Sequence, residues 1–186
     1  KNNPLLINLT NSAPILYKNK FSTIHDLSVF ENNEWFSFKY RSFYRFLIPR
    51  IIKSSKKILT DSHFSKEEII KNYNIDTGDV NTIYCASYLN KIDNLNKNIS
   101  GNYILFIGGT SKRKNLKNLI NAFIELDNKN IKLKVVGANV NHLASDNINQ
   151  YSNIEYIGDV SDNQLTNLYS NARMLVFPSF YEGFGI

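Results

Sequence analysis

Tyr103-Ile104-Leu105-Phe106-Ile107-Gly108-Gly109-Thr110-Ser111-Lys112-Arg113-Lys114-Asn115 is a strand, a glycine pair and a basic loop in one run. The five residues before the glycines are apolar without alternation, which predicts a strand buried on both faces of a parallel sheet. Leu116, Leu119, Ile120, Phe123, Ile124 and Leu126 follow at helical spacing, so the loop joins a strand to a helix. The same grammar continues downstream. Leu133 to Val136 is a strand closed by Gly137, and Ile154 to Ile157 is a strand closed by Gly158. Ser161-Asp162-Asn163-Gln164 is a capping box that opens a helix through Leu165, Leu168 and Tyr169. Met174 to Phe177 is read as a last buried strand, running into Pro178. Alternating strands and helices give an α/β fold with a parallel sheet covered on both faces. Ligands on such sheets bind at the carboxyl ends of the strands, where Gly108, Gly137, Gly158 and Pro178 all fall.

Upstream, Leu5 to Leu9, Phe21 to Ile24, Lys57 to Thr60 and Thr82 to Cys85 read as strands. Phe36, Tyr40, Phe43, Tyr44, Leu47, Ile48, Ile51 and Ile52 recur at helical spacing, with Pro49 expected to kink the helix or start a new one. Ser65-Lys66-Glu67-Glu68 reads as a capping box for a helix carrying Ile69, Ile70 and Tyr73. Residues 87–102 are polar with little periodicity and are the linker candidate. Domain boundaries of 1–86, 87–102 and 103–186 follow.

The chain has 186 residues, 42% hydrophobic and 20% charged, enough for one full core or parts of two. Hydropathy gives no uninterrupted apolar run of transmembrane length, and Lys1-Asn2-Asn3-Pro4 does not open a signal peptide. Lys1 is not a natural start residue, so both ends are read as cut. The single cysteine, Cys85, rules out an intrachain disulfide framework. A reducing cytosol fits, and a secreted chain without disulfides stays open. The net charge of +6 suits a phosphorylated substrate, an anionic membrane or nucleic acid, or merely dispersed surface lysine. Neither zinc-ligand spacing nor an RNA-binding aromatic signature accompanies it, so no nucleic-acid partner is expected. The segment Phe36 to Lys57 reads first as a core-packing helix. Its Arg and Lys beside an apolar face also suit peripheral contact with an anionic membrane.

Three places carry candidate chemistry. In the loop Gly108 to Asn115 the glycines free backbone amides, and Lys112, Arg113 and Lys114 can neutralise a diphosphate. A cationic helix start is unfavourable unless an anion is bound. The loop is not a Walker loop, because the Gly-Lys-Ser/Thr ending is missing. Phe180-Tyr181-Glu182-Gly183-Phe184-Gly185 sets a lone carboxylate among aromatics before two glycines, suited to close contact with a polyol. His25-Asp26 follows a strand; on the residues alone it reads as a structural histidine and a helix cap. His63 and His142 lack comparable context. No Asp-x-Asp motif and no metal-ligand cluster occur, so no metal and no cofactor is expected. No Gly-x-Ser-x-Gly elbow appears, and Cys85 has no triad context.

These segments resemble glycosyltransferase family 4, the retaining nucleotide-sugar transferases of GT-B architecture, and within it the bacterial mannosyltransferase-like branch. Glu182-Gly183-Phe184-Gly185 is similar to the family's donor-sugar loop, whose second glutamate would lie beyond Ile186. Lys114 matches the lysine of the phosphate loop. Gly109 stands where the family has an arginine, with Arg113 as the substitute. Ile157-Gly158-Asp159-Val160-Ser161-Asp162 is similar to the nucleobase-pocket turn, with backbone contacts around Val160. Thr23-Ile24-His25-Asp26-Leu27 is similar to the segment that puts a histidine near donor sugar and acceptor.

The resemblance implies two Rossmann-like parallel-sheet domains, both incomplete here. It implies transfer of a sugar from a nucleotide-diphosphate donor to a glycan or lipid-linked acceptor; a cytoplasmic location, with peripheral contact at the inner face of the membrane as an option, is the expectation from the cysteine count and the 36–57 segment. Arg113, Lys114, Glu182 and His25 take the catalytic roles. Gly108, Gly109, Val160, Gly183, Phe184 and Gly185 join Arg113, Lys114 and Glu182 in holding the donor. The competing reading is a non-catalytic remnant or a nucleotide-sugar binding module, and the 186 residues alone are expected to be inactive and to fold poorly.

Overall fold

The structure is a computed structural model that describes residues 3–86, 101–137 and 151–185. The chain divides into two compact units: residues 1–88 with Tyr181–Ile186, and Leu89–Phe180. The tail at 181–186, expected with the second domain, thus groups with the first unit. Of the linker candidate, residues 87–100 lie outside the described residues, as does His142.

The first unit holds a four-stranded sheet in which β1 (Leu6–Asn8), β2 (Lys20–Thr23), β3 (Lys57–Thr60) and β4 (Val80–Thr82) lie in sequence order, all parallel. α1 (Ser28–Glu31), α2 (Phe38–Ser54) and α3 (His63–Tyr73) connect them. The core gathers Ile24, Leu27 and Val29 with Ile48, Ile51 and Ile52 of α2, Ile58 of β3 and Ile69 of α3. These helix residues explain why α2 runs through Pro49 as one helix. Buried isoleucines on both sides of the proline hold the two halves to the same core, which offsets the lost backbone hydrogen bond. α3 starts two residues before the expected capping box. Ser62 caps it, its hydroxyl accepting from Ser65 N, while Ser65 is buried and serves elsewhere. β4 likewise sits earlier than Thr82 to Cys85.

Lys20 of β2 is fully buried with no carboxylate partner among its described bonds. Its Nζ donates to Tyr17 O at 2.7 Å and to Ser54 Oγ at 2.6 Å. Burial lowers its pKa from the ordinary lysine value.

The second unit contains β5 (Tyr103–Ile107), β6 (Lys132–Val136), β7 (Ile154–Ile157) and β8 (Met174–Leu175), parallel in the order β7-β6-β5-β8. α4 (Leu116–Glu125) and α5 (Asp162–Asn171) complete it. The unbroken apolar run of β5 now has its reason. Phe106 and Ile104 pack on one face against Leu116, Ile120 and Phe123 of α4. Tyr103, Leu105 and Ile107 pack on the other with Leu168 of α5, Ala172 and Val160. Alternate residues serve opposite layers, so every position must be apolar. The capping box on α5 is present as expected, with Ser161 and Gln164 bonded reciprocally. β8 is shorter and more exposed than expected. It lies at the sheet edge with one strand neighbour, leaving Met174 and Leu175 about half exposed.

Candidate functional site

In the second unit, the carboxyl ends of β5, β6 and β7 meet at glycines. Gly108 N donates to Val136 O at 3.0 Å, and Gly137 N donates to Ile157 O at 3.2 Å. Gly137 has φ +79, a conformation that only glycine adopts without strain. After Gly109, whose surroundings are open, a 3-10 turn spans Lys112–Lys114, and Asn115 takes a left-handed conformation before α4.

Three contacts tie this loop to the chain leaving β8. Phe180 N donates to Arg113 O at 2.9 Å, Asn115 Nδ2 donates to Pro178 O at 2.9 Å, and Lys114 Nζ lies 4.8 Å from the Phe177 ring centroid. Asn115 is the N-cap residue of α4, yet its side chain makes no cap bond, because it is committed to Pro178. The helix therefore starts with Arg113 and Lys114 before it, Lys117 in its first turn, and no acidic residue there. The positive end of the helix dipole and three cationic residues fall at the same helix start, an arrangement that favours an anion. Val160 is half-buried against the Tyr103–Leu105–Val136 cluster and leads directly into the cap of α5.

In the first unit, His25 follows β2 and is held at its N–H, its carbonyl and one ring nitrogen. Its N–H donates to Asn11 Oδ1 at 2.8 Å, its carbonyl accepts from Thr60 Oγ1 at 3.5 Å, and Nδ1 lies 2.7 Å from Asp61 Oδ2. Asp26 closes the start of α1, its Oδ1 accepting from Ser28 N and Ser28 Oγ. His25 and Asp61 border a cavity of about 170 Å³ with Tyr84 and Cys85 over Leu59 and Ile83. Cys85 is exposed; partial desolvation, and after it the negative charge of Asp61, raise its thiol pKa. His63 is exposed at the start of α3, its ring edge-on to Tyr84.

The tail packs on this same unit. Tyr181 is buried between Trp35 and Phe64, and its hydroxyl accepts from Leu27 N at 3.3 Å. Burial drives its phenol far above the ordinary range. Gly183 O accepts from Ser62 Oγ and Ser65 Oγ. A Cβ at Gly183 would stand 2.7 Å from Asp26 Cβ and 3.0 Å from His25 O, so the backbone approach requires glycine. Phe184 lies against Tyr84 with ring centroids 6.2 Å apart, Gly185 is exposed with φ +88, and Glu182 is half-buried between Tyr181 and Gly183.

The structure thus brings His25 to Gly183 in the first unit, and gathers Gly108, Arg113 and Lys114 at the strand ends of the second. Sequence reading does not single out Asp61, Asn11, Ser62 or Asn115. For Asp61 a signal exists: it is the first residue past a parallel strand, at the carboxyl end where ligands bind. Among the described residues, no helix is long and apolar enough to cross a membrane, and no three His, Cys, Asp or Glu side chains gather as metal ligands would.

Residues 89–186 match the profile of the family described as glycosyl transferases group 1. The chain is 32% identical over 190 residues to the O-antigen chain mannosyltransferase RfbU of Salmonella typhimurium, covering 99% of this chain and 52% of that protein. It is 31% identical over 183 residues to the O-antigen chain mannosyltransferase B of Escherichia coli, covering 89% of this chain and 48% of that one. The chain therefore spans about half the length of the curated relatives it matches. Its fold matches that of Anabaena HepE, crystallised with UDP-glucose, at a TM-score of 0.64 and 14% identity over 88% of this chain and 48% of that one. That fold is GT-B, of which the two parallel α/β sheets here form part.

Proposed function

The chain belongs to the group 1 glycosyl transferases, and we propose that its protein transfers a sugar, mannose in the first instance, from a nucleotide diphosphate to a glycan or lipid-linked acceptor hydroxyl with retention at the anomeric carbon. The observation that carries this reading is the cationic start of α4: Arg113, Lys114 and Lys117 at a helix whose N-cap side chain is committed elsewhere. The curated relatives are O-antigen mannosyltransferases, and HepE was crystallised with UDP-glucose, which supports a nucleotide-sugar donor and a polysaccharide product.

Bond cleavage leaves charge on the diphosphate. Arg113 offers a planar fork and Lys114 a compact charge to its oxygens, and the amides of Gly109 and of the first turn of α4 add fixed dipoles. Glu182 accepts hydrogen bonds from hydroxyls of the donor sugar, with Gly183, Phe184 and Gly185 shaping the approach. His25 faces the reacting sugars. In a retaining displacement of this kind the departing phosphate takes the acceptor proton, so no protein base is assigned. The test is incubation of the intact protein with GDP-mannose and an undecaprenyl-linked acceptor. The expected result is an α-mannoside by NMR; nucleotide-sugar binding without transfer would overturn the enzymatic reading.

Turnover is expected to need no divalent metal. The sequence has no Asp-x-Asp pair, and the side chains of Arg113 and Lys114 carry the charge that offsets the phosphate. Activity should survive excess EDTA; a complete loss restored by manganese or magnesium would overturn this point.

Peripheral attachment to the inner face of the cell membrane is proposed for α2. No acidic residue occurs from Trp35 to Thr60, while Lys39, Arg41, Arg45, Arg50, Lys53, Lys56 and Lys57 do. Phe43 and Phe46 are more than half exposed, and Arg50 lies over the Phe46 ring with 3.5 Å to its centroid. Each basic residue near an anionic surface contributes about 1 kcal/mol. Combining Phe46→Ala with Arg50→Glu and Lys53→Glu is expected to lower co-sedimentation with phosphatidylglycerol vesicles at least about tenfold. Equal sedimentation of both proteins would show that α2 is not the contact.

A further inference from the structure

We propose that Asp61 is the positioning residue for His25: its carboxylate keeps the proton on Nδ1, so that Nε2 is the nitrogen offered to a sugar hydroxyl. This deepens the reading of His25 given above and rests on it. The geometry is direct. Asp61 Oδ2 lies 2.7 Å from His25 Nδ1, at a distance where the ring N–H donates to the carboxylate. The Asp61 side chain is 15% exposed and the His25 side chain 40% exposed, so the carboxylate sits inward and the ring reaches solvent. With Nδ1 taken from inside, Nε2 is the nitrogen available at the cavity that both residues border.

The rest of the histidine cannot compensate for a lost partner, because its backbone is already held by Asn11 and Thr60. Only the side-chain torsions are free, and Asp61 fixes them. The neighbouring acid Asp26 is committed to Ser28 and leaves the imidazole to Asp61. Cys85 borders the same cavity as Asp61. β2 and β3 are adjacent parallel strands, with Thr23 paired to Leu59. Carried on by two residues past Thr23 and Leu59, that register sets His25 beside Asp61, which is how two residues 36 apart in sequence meet. In either charge state Nδ1 keeps its proton. Nε2 accepts from a hydroxyl when the ring is neutral and donates to an oxygen when it is charged.

The intact protein labelled with ¹⁵N-histidine tests this. Above the pH at which the ring titrates, wild-type His25 is expected to show the Nδ1–H tautomer, and Asp61→Ala is expected to shift it to the Nε2–H form usual for a free imidazole. Asp61→Asn, close in shape and still offering an acceptor oxygen, is expected to retain the Nδ1–H form and guards against a simple folding defect. In the transfer assay Asp61→Ala is expected to lower kcat about 10–100-fold, the range for carboxylates that orient a metal-bound histidine, with the donor KM changed less than about threefold. An Nε2–H tautomer in the wild type, or no change in tautomer in Asp61→Ala, overturns the inference. The tautomer is read without turnover, so a protein that transfers no sugar would refute the proposed function while leaving this pairing separately decided.

Discussion

Replacing Arg113 and Lys114 together with alanine is expected to weaken binding of a nucleotide diphosphate by at least about 2 kcal/mol, roughly 30-fold, since charge-assisted hydrogen bonds contribute about 1.5–3 kcal/mol each. The fold should tolerate the change. Arg113 is tied to Phe180 through its backbone carbonyl, which alanine keeps, and Asn115 still holds Pro178. Lys114 also lies over the Phe177 ring, so Lys114→Met separates loss of charge from loss of packing. Calorimetric titration with GDP and UDP reads the affinity. An unchanged dissociation constant in the double variant would refute the placement of the diphosphate at this loop, whatever the activity of the protein.

Gly183→Ala is expected to reduce sugar transfer by two orders of magnitude or more while leaving both cores folded. The added Cβ would stand 2.7 Å from Asp26 Cβ and 3.0 Å from the His25 carbonyl oxygen. Neither neighbour is the loose end of a long side chain. Asp26 is held by Ser28, and the His25 backbone by Asn11 and Thr60. Overpacking of this kind costs about 1–3 kcal/mol, enough to displace the 181–185 segment from the Ser62 and Ser65 hydroxyls that bind Gly183 O. Glu182 would move with it, and a productive site tolerates only about 0.5 Å. Trp35, the only tryptophan of the 186 residues, packs on Tyr181 and should report the displacement as a shift in its fluorescence. Wild-type emission together with full transferase activity in Gly183→Ala would show that the tail does not need this approach.

The local periods were enough for much of this. An apolar run served by both faces could only be a doubly covered parallel strand, and Tyr103–Ile107 is one. The stripe from Leu116 and the reciprocal Ser161–Gln164 cap are likewise local facts, carried by hydrogen bonds and periodicity within a few residues. The cationic loop announced itself because charge at a helix start is unfavourable without an anion. Features that depend on distant neighbours stayed hidden. Pro49 does not end α2, because packing of Ile48, Ile51 and Ile52 outweighs a single missing hydrogen bond. Ser65 looked like a cap and is instead a buried donor to Gly183, while Ser62 takes the cap. Lys20 lies just outside the strand read from Phe21 to Ile24 yet belongs to β2, and the nearby Tyr17 carbonyl and Ser54 hydroxyl make its burial tolerable.

By itself, then, the order of residues determined the α/β class, the strand-end glycines and the basic loop, since each rests on interactions between residues close along the chain. Tertiary structure alone decided that Asp61 meets His25 across two parallel strands, that Asn115 leaves its helix uncapped to hold Pro178, and that the 181–185 segment packs on the first unit. Those are pairings across 36 residues and more, set by sheet register and close packing, and no local period encodes them.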